Sequence, residues 1–162
     1  PGYFLSGGYF KLPLSISQAI TQEDIKKQRC FDLKWLKAQG LNNSIKNKKL
    51  SAGTFESKFL NLVTPTKPTW NGHNASGWKQ DIVAVNGFDE RMQYGGEDRE
   101  LGERLFNKGL KSKQIRYSAV CVHLDHARGY VKEEMLVKNA AIRKETKLQR
   151  KTYTAFGIKK DS

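Results

Sequence analysis

The chemistry-bearing residues of this chain are concentrated in Gly95-Gly96-Glu97-Asp98 and in the two histidines that follow, His123 and His126. Adjacent carboxylates can divide labour, one binding a hydroxylated substrate and the other accepting a proton. The glycine pair lets a ligand come close to the backbone, because neither residue has a Cβ. A reading without any ligand is equally direct. Acids in the first turn of a helix meet free N–H groups and the positive end of the dipole, a gain of about 0.3–1 kcal/mol each. His123 and His126 are spaced i,i+3 beyond an apolar run and could hold a metal ion. A full site needs more ligands, since zinc wants a tetrahedral set and magnesium or manganese usually takes carboxylates and phosphate oxygens. Asp125 points elsewhere if the segment stays extended. At the level of single motifs both readings stay open.

The neighbouring elements must position these groups. Gly95-Gly96 precedes a helix starting at Glu97, with Leu101, Leu105 and Phe106 on one face, a Glu100–Arg104 i,i+4 pair, Lys108 in the last turn and Gly109 as the stop. Ile115 to Val122 is β-branched and aromatic enough for a strand that delivers His123. Asp81 to Val85 is a short buried element, Asn86-Gly87 is a turn, and Phe88 should plug the core beside it. Trp70 to Trp78 suits a loop over a pocket, with His73 more plausible as an ordinary histidine than as a ligand.

Upstream, Gly2 to Leu14 is expected to be a strand with a bulge or close backbone approach at Gly7-Gly8. Thr21 and Asp24 match a capping box, and Ile25, Phe31, Trp35 and Leu36 give a helical stripe, broken near Asp32 and stopped at Gly40. This is expected to be an amphipathic cover helix. Leu41 to Leu50 is a basic surface loop. Phe55, Phe59, Leu62 and Val63 form a short apolar segment, and Pro65 and Pro68 exclude helix over residues 64–69. Glu133 to Lys151 is a long basic helix with a narrow stripe of Met135, Leu136, Ile142 and Leu148, its lysines outward.

The chain has 162 residues, 38% apolar and 28% charged. That composition belongs to a soluble globular domain large enough to bury roughly two-thirds of its surface. No apolar run approaches the ~20 residues of a membrane span. Cys30 and Cys121 are expected as buried, reduced thiols. The opening Pro1-Gly2-Tyr3-Phe4 lacks an initiating Met and a basic leader, which suggests an excised domain. A net charge of +13 attracts nucleic acid, anionic lipid or phosphorylated substrates. Lysines crowd Lys46 to Lys49 and Lys138 to Lys160, while acids concentrate between Asp81 and Glu103. An acidic centre with basic flanks suits a site that handles a cation or protons on a surface that attracts phosphate.

The order of these motifs carries more than any one of them. Asn-Gly-Phe-Asp-Glu, Tyr-Gly-Gly-Glu-Asp-Arg-Glu-Leu, Arg-Leu-Phe-Asn-Lys-Gly, a strand and His-Leu-Asp-His together resemble the C-terminal half of nucleotide-sugar glycosyltransferases of the GT-A fold. The likeness is to bacterial family 2 enzymes with a galactosyltransferase-type C-terminal region, and it covers about Trp70 to Tyr130. It implies an α/β fold with a mixed sheet flanked by helices, the N-terminal nucleotide-binding half being absent. It implies that Asp98 is the general base on the acceptor hydroxyl and that Glu97 hydrogen-bonds sugar hydroxyls. Gly95 and Gly96 would line the donor–acceptor junction, with Tyr94 and Trp78 as sugar-stacking residues and Asn74 beside a sugar. Mn2+ or Mg2+ would be held by His126 or His123, His126 being slightly preferred by spacing, and by an Asp-x-Asp elsewhere. No Asp-x-Asp occurs in this sequence, and Arg99 stands where the animal galactosyltransferases carry another acid.

The expected organisation is therefore an acceptor-side glycosyltransferase part over residues 1–130 and a basic helix and tail over 131–162. The expected activity is transfer of a hexose, galactose-type, from a nucleotide sugar such as a UDP-sugar to a glycan or lipid-linked acceptor, inverting and metal-dependent, with the isolated chain inactive. The expected location is cytoplasmic, with the basic tail in peripheral contact with an anionic membrane and no nucleic-acid partner. Two rivals stand beside it: a basic nucleic-acid-binding domain, which leaves the acidic centre unexplained, and a non-catalytic carbohydrate-binding fragment.

Overall fold

Most elements of the chain are six residues long or shorter, and the helices over Thr54–Val63, Glu97–Asn107 and Glu133–Leu148 are the longer ones. The structure, a computed structural model, describes residues 2–127 and 129–160. In chain order the elements are β1 (Tyr3–Ser6), β2 (Gly8–Lys11), α1 (Leu14–Ala19), α2 (Gln22–Lys26), α3 (Leu33–Ala38), α4 (Lys48–Ser51), α5 (Thr54–Val63), β3 (Ala75–Ser76), α6 (Lys79–Ala84), α7 (Glu97–Asn107), β4 (Lys111–Gln114), β5 (Val120–His123) and α8 (Glu133–Leu148). Single 3-10 turns at Arg29–Phe31 and Ile45–Asn47 complete the set. The α/β class is as expected. Strands pair in both orientations, divided between a three-stranded sheet in the order β3-β1-β4 and a two-stranded sheet of β2 and β5. The chain forms two compact units: residues 1–6, 67–113 and 129–162, and residues 7–66 and 114–128.

The first unit is organised by α7. Leu101 and Leu105 bury one face of it against Phe4, Trp70, Val85 and Leu110. Trp70, expected in a loop over a pocket, is a core residue instead. Gly102 makes this possible, since a Cβ there would lie 2.8 Å from that of Trp70. Gly109, at φ +93°, ends the helix as expected. Its N–H donates to Phe106 and the next N–H donates back to Leu105, which satisfies the last carbonyls.

The Glu100–Arg104 pair forms as its i,i+4 spacing suggests, and it is buried. Both side chains are 1% exposed. Arg104 Nε and Nη2 grip the Glu100 carboxylate at 2.8 Å each, Nη2 also donates to the Gly87 carbonyl at 2.7 Å, and Nη1 donates to that of Val85. Thr146 of α8 donates to the same carboxylate at 2.9 Å. One ion pair thus holds α7, the Val85–Gly87 turn and α8 together.

That turn contains consecutive left-handed residues, Asn86 at φ +67° and Gly87 at φ +72°. The expectation that Phe88 plugs the core is wrong, because Phe88 is 45% exposed. Val85 occupies the core position, and the left-handed pair then swings the next residue outward. The C-terminal tail closes over the turn. Asn86 Nδ2 donates to Thr154 and Lys159 carbonyls, its Oδ1 accepts from the Lys159 N–H, and Thr154 Oγ1 donates to Asp89 at 2.7 Å. Burial pushes the Asp89 carboxyl up, but hydrogen bonds from Arg91 and Thr154 outweigh it and hold the group below the usual carboxylate range.

On α8 the buried residues are Asn139, Ile142 and Thr146, while Leu136 and Leu148 are exposed. The expected apolar stripe is therefore largely polar, because α8 is tied down by hydrogen bonds to α7 and to the loop before it.

In the second unit β2 and β5 run parallel, from Gly8 opposite Val120 to Lys11 opposite His123. The expected single N-terminal strand is thus two strands in different sheets. The close backbone approach expected at the glycines is real, since a Cβ on Gly8 would lie 2.1 Å from the Arg116 carbonyl oxygen. Phe10, Leu12, Ile16 and Leu36 form the core. Thr21 and Asp24 make the capping box, and Asp32 caps α3, so the expected cover helix is three short pieces. The strand predicted from Ile115 starts only at Val120, after a turn at 115–119. Cys30 and Cys121, buried and half-buried, form no disulfide, and burial pushes both pKa values up.

Truncating Arg104 leaves Glu100 as a buried, unpaired charge. Arg104→Ala is expected to lower unfolding free energy by about 3–5 kcal/mol in urea denaturation, against at most about 0.5 kcal/mol for Lys108→Ala in the exposed last turn of the same helix. Near-equal effects would show that the pair does not hold the unit together.

Candidate functional site

Two consecutive left-handed glycines, Gly95 at φ +106° and Gly96 at φ +92°, turn the chain into α7. A Cβ on Gly95 would lie 2.5 Å from a Leu136 methyl carbon, and one on Gly96 would lie 3.0 Å from Arg143 Cδ. Both walls are therefore built to glycine dimensions, one by the turn and the other by α8. The loop carbonyls are held from behind by buried Asn139, whose Nδ2 lies 3.1 Å from the Tyr94 and Gly95 oxygens.

The turn sets Glu97 and Asp98 at the lip of a cleft of about 330 Å³. Its lining is Tyr94, Gly95, Gly96, Glu97, Asp98 and Arg99 on one side and Leu136, Ala140 and Arg143 of α8 on the other. Both acids are half-buried. Glu97 accepts the Gly95 N–H at 2.8 Å. Asp98 accepts the Gly72 N–H at 2.8 Å and its neighbour's N–H, that of Arg99, at 2.7 Å. An ionised carboxylate offers about four lone-pair sites, so each keeps acceptor capacity for a hydroxyl. The bond to Gly72 also ties the 70–76 loop to the start of α7.

Five of the residues singled out in the sequence, Tyr94, Gly95, Gly96, Glu97 and Asp98, thus come together in one cleft. Tyr94 stacks edge-on against Tyr130 with centroids 5.2 Å apart. Asn74 and Trp78 belong to the same unit but do not line the cleft. The Asn74 N–H closes a turn on Asn71, and Trp78, 58% exposed, caps α6. Sequence reasoning missed the α8 wall. The signal was there in the spacing of Leu136, Ala140 and Arg143, which fall on one helical face, but nothing in the sequence set Arg143 apart from the other basic residues of the helix. It is instead held against Glu103 at 2.5 Å, with Lys147 at 3.2 Å from the same oxygen.

His123 and His126 belong to the other unit. Their rings lie side by side, centroids 5.7 Å apart, and His123 also meets Tyr9 edge-on. His123 Nε2 is buried with no hydrogen-bond partner, as a ring nitrogen kept for a ligand would be, while His126 Nδ1 lies 3.0 Å from the Ala127 carbonyl. Asp125 is paired with Lys11 at 2.8 Å, and the hydrogen bond from Lys11 holds its carboxyl below the usual range, with a smaller contribution from neighbouring His126. No group of three or more His, Cys, Asp or Glu side chains suited to a metal occurs among the described residues. Two imidazoles fit part of an ion's coordination sphere, and they suit manganese better than magnesium, which keeps to oxygen ligands.

Residues 66–127 match a family model described as the N-terminal domain of galactosyltransferase. The matched stretch contains Glu97 and Asp98 as well as both histidines, and it makes this part of the chain glycosyltransferase-like. The description names an N-terminal domain, whereas the motif order had suggested a C-terminal half. No curated protein matches the chain, and no solved structure does.

The geometry of the turn makes a specific demand on its glycines. Gly95→Ala is expected to cost about 1–3 kcal/mol in thermal or urea unfolding, because it forces a side chain into left-handed backbone and against Leu136. Gly72→Ala, whose Cβ would meet Asp98 only at ordinary contact distance, should stay within about 0.5 kcal/mol. Equal costs at the two positions would refute this account of the turn.

Proposed function

We propose that this chain, whose central segment is similar to a galactosyltransferase domain, takes part in transfer of a hexose from a nucleotide sugar to a hydroxyl of a glycan or lipid-linked acceptor. The observation that carries the reading is the cleft at the start of α7, where the glycine pair presents two adjacent carboxylates with spare acceptor capacity. Asp98 takes the proton of the acceptor hydroxyl. The hydroxyl oxygen then forms the new bond to the anomeric carbon as the bond to the nucleoside diphosphate breaks, and the electron pair leaves with the diphosphate. Attack from the face opposite the leaving group inverts the anomeric centre. Glu97 accepts hydrogen bonds from sugar hydroxyls and orients the acceptor or donor ring. Tyr94 and exposed Trp78 offer apolar faces to sugar rings. Of the donors, a UDP-sugar is the one proposed.

In the second unit, His123 and His126 would hold the divalent ion, Mn2+ in preference to Mg2+. Such an ion supplies Lewis-acid neutralisation of a departing diphosphate.

The base assignment predicts that Asp98→Asn in the full-length protein lowers turnover by about 10²–10⁴-fold while donor affinity changes little. Retained turnover would remove Asp98 from the chemistry, and equal loss of donor binding would make it a binding residue only. The metal assignment is tested without turnover, by titrating Mn2+ and following its free-ion paramagnetic signal. His123→Ala and His126→Ala should each weaken binding at least about tenfold, and unchanged binding would place the ion elsewhere.

A further inference from the structure

Helix α5 is mounted with its apolar side out. At 3.6 residues per turn, Phe55, Lys58, Phe59, Leu62 and Val63 share one face, and that face is turned to solvent: Phe55 is 87% exposed, Phe59 62% and Leu62 84%. The face held by the unit is polar. Ser57 is buried and donates to the Ala52 carbonyl. Asn61 donates to Ser118 Oγ at 2.8 Å, accepts the Tyr117 N–H at 2.9 Å through Oδ1, and accepts from the Gln114 side chain through its carbonyl. These bonds fix the rotation of the helix, so the outward apolar face is a built feature. Ile45, in the turn before α4, is exposed as well.

The charges around the face have one sign. Residues 41–66 carry Lys46, Lys48, Lys49 and Lys58 against a single acid, Glu56, and Glu56 is already engaged by Lys48 at 2.6 Å. Lys58 lies within the apolar face and Lys46 follows exposed Ile45. A second copy of the chain docking through the same face would bring like charges together. An anionic bilayer complements it, since it offers phosphates to the lysines and an apolar interior to the Phe and Leu side chains. At about 1.5 Å per residue, α5 is far too short to cross ~30 Å of hydrocarbon. No helix of the described residues is long and apolar enough to do so.

We propose that α5 lies in the interface of an anionic membrane, with Phe55, Phe59 and Leu62 inserted below the headgroups and Lys46 and Lys58 on the lipid phosphates. The proposal is independent of glycosyl transfer. It moves the membrane contact from the C-terminal tail, where lysine density alone had put it, because residues 154–160 of that tail are bonded to the Asn86–Glu90 turn.

The test is co-sedimentation of the chain with vesicles of phosphatidylcholine alone or with about 30% phosphatidylglycerol. Binding is expected only to the anionic vesicles, and Phe55→Ser/Leu62→Ser should weaken it at least about tenfold, with the circular dichroism spectrum and melting curve unchanged. Lys138→Ala/Lys144→Ala on α8 should leave it within about twofold. Phe59→Trp should show a blue-shifted emission on anionic vesicles. Absence of binding, binding indifferent to the α5 pair, or loss with the α8 pair alone would each overturn the proposal. So would a concentration-dependent dimer that the α5 substitutions abolish, because a second copy would then cover the face.

Discussion

The buried ion pair between Glu100 and Arg104 is the constraint on which the first unit depends. Taking two charges out of water costs several kcal/mol per ion, and only a fully satisfied network returns it. Here the guanidinium is spent on one carboxylate and two backbone carbonyls, and the carboxylate also receives the Thr146 hydroxyl. An apolar residue of similar size could fill the space, but it would not specify where the Val85–Gly87 turn and α8 must sit. The pair does, because its hydrogen bonds are directional. Everything that shapes the cleft follows from it: α7 carries the acids, α8 supplies the opposite wall, and the turn at Asn86-Gly87 receives the C-terminal tail.

The cleft itself illustrates how a local backbone feature shapes a surface. Two successive glycines in left-handed conformation let α8 come within contact distance of the loop, and Asn139 bonds the loop carbonyls from behind. Glu97 and Asp98 are then first-turn acids that also line a cleft. The helix-start reading and the site reading are compatible, since a helix N-terminus both stabilises a carboxylate and leaves its outer lone pairs free. The bond from Gly72 to Asp98 adds that the same carboxylate organises the preceding loop.

The second unit solves a different problem. Its parallel strand pair is closed over a small apolar core, yet it leaves one helix face of Phe and Leu uncovered while turning buried Ser57 and hydrogen-bonded Asn61 inward. Leaving that much apolar surface in water forgoes hydrophobic stabilisation that a reversed helix would have gained. Three hydrogen bonds through Asn61 hold the helix against that preference.

Local signals were legible in the sequence wherever short-range chemistry decides the outcome. The Thr21–Asp24 capping box, the Gly109 stop, the turn at Asn86-Gly87 and the start of α7 at Glu97 all formed where residue type and spacing placed them, because caps and left-handed turns are settled within a few residues. The Gly-Gly turn that leads into Glu97 and Asp98 was legible for the same reason. What only the tertiary structure decided was which side of each element faces inward. Spacing paired Glu100 with Arg104 without telling that the pair is buried, and it made Phe88 a core plug and Trp70 part of a pocket loop. It also made the apolar stripe of α8 its packing face, and it was silent on Arg143 and Leu136 as the far wall of the cleft. Periodicity says which residues share a face; whether that face is buried depends on partners distant in sequence, and those partners exist only once the chain has folded.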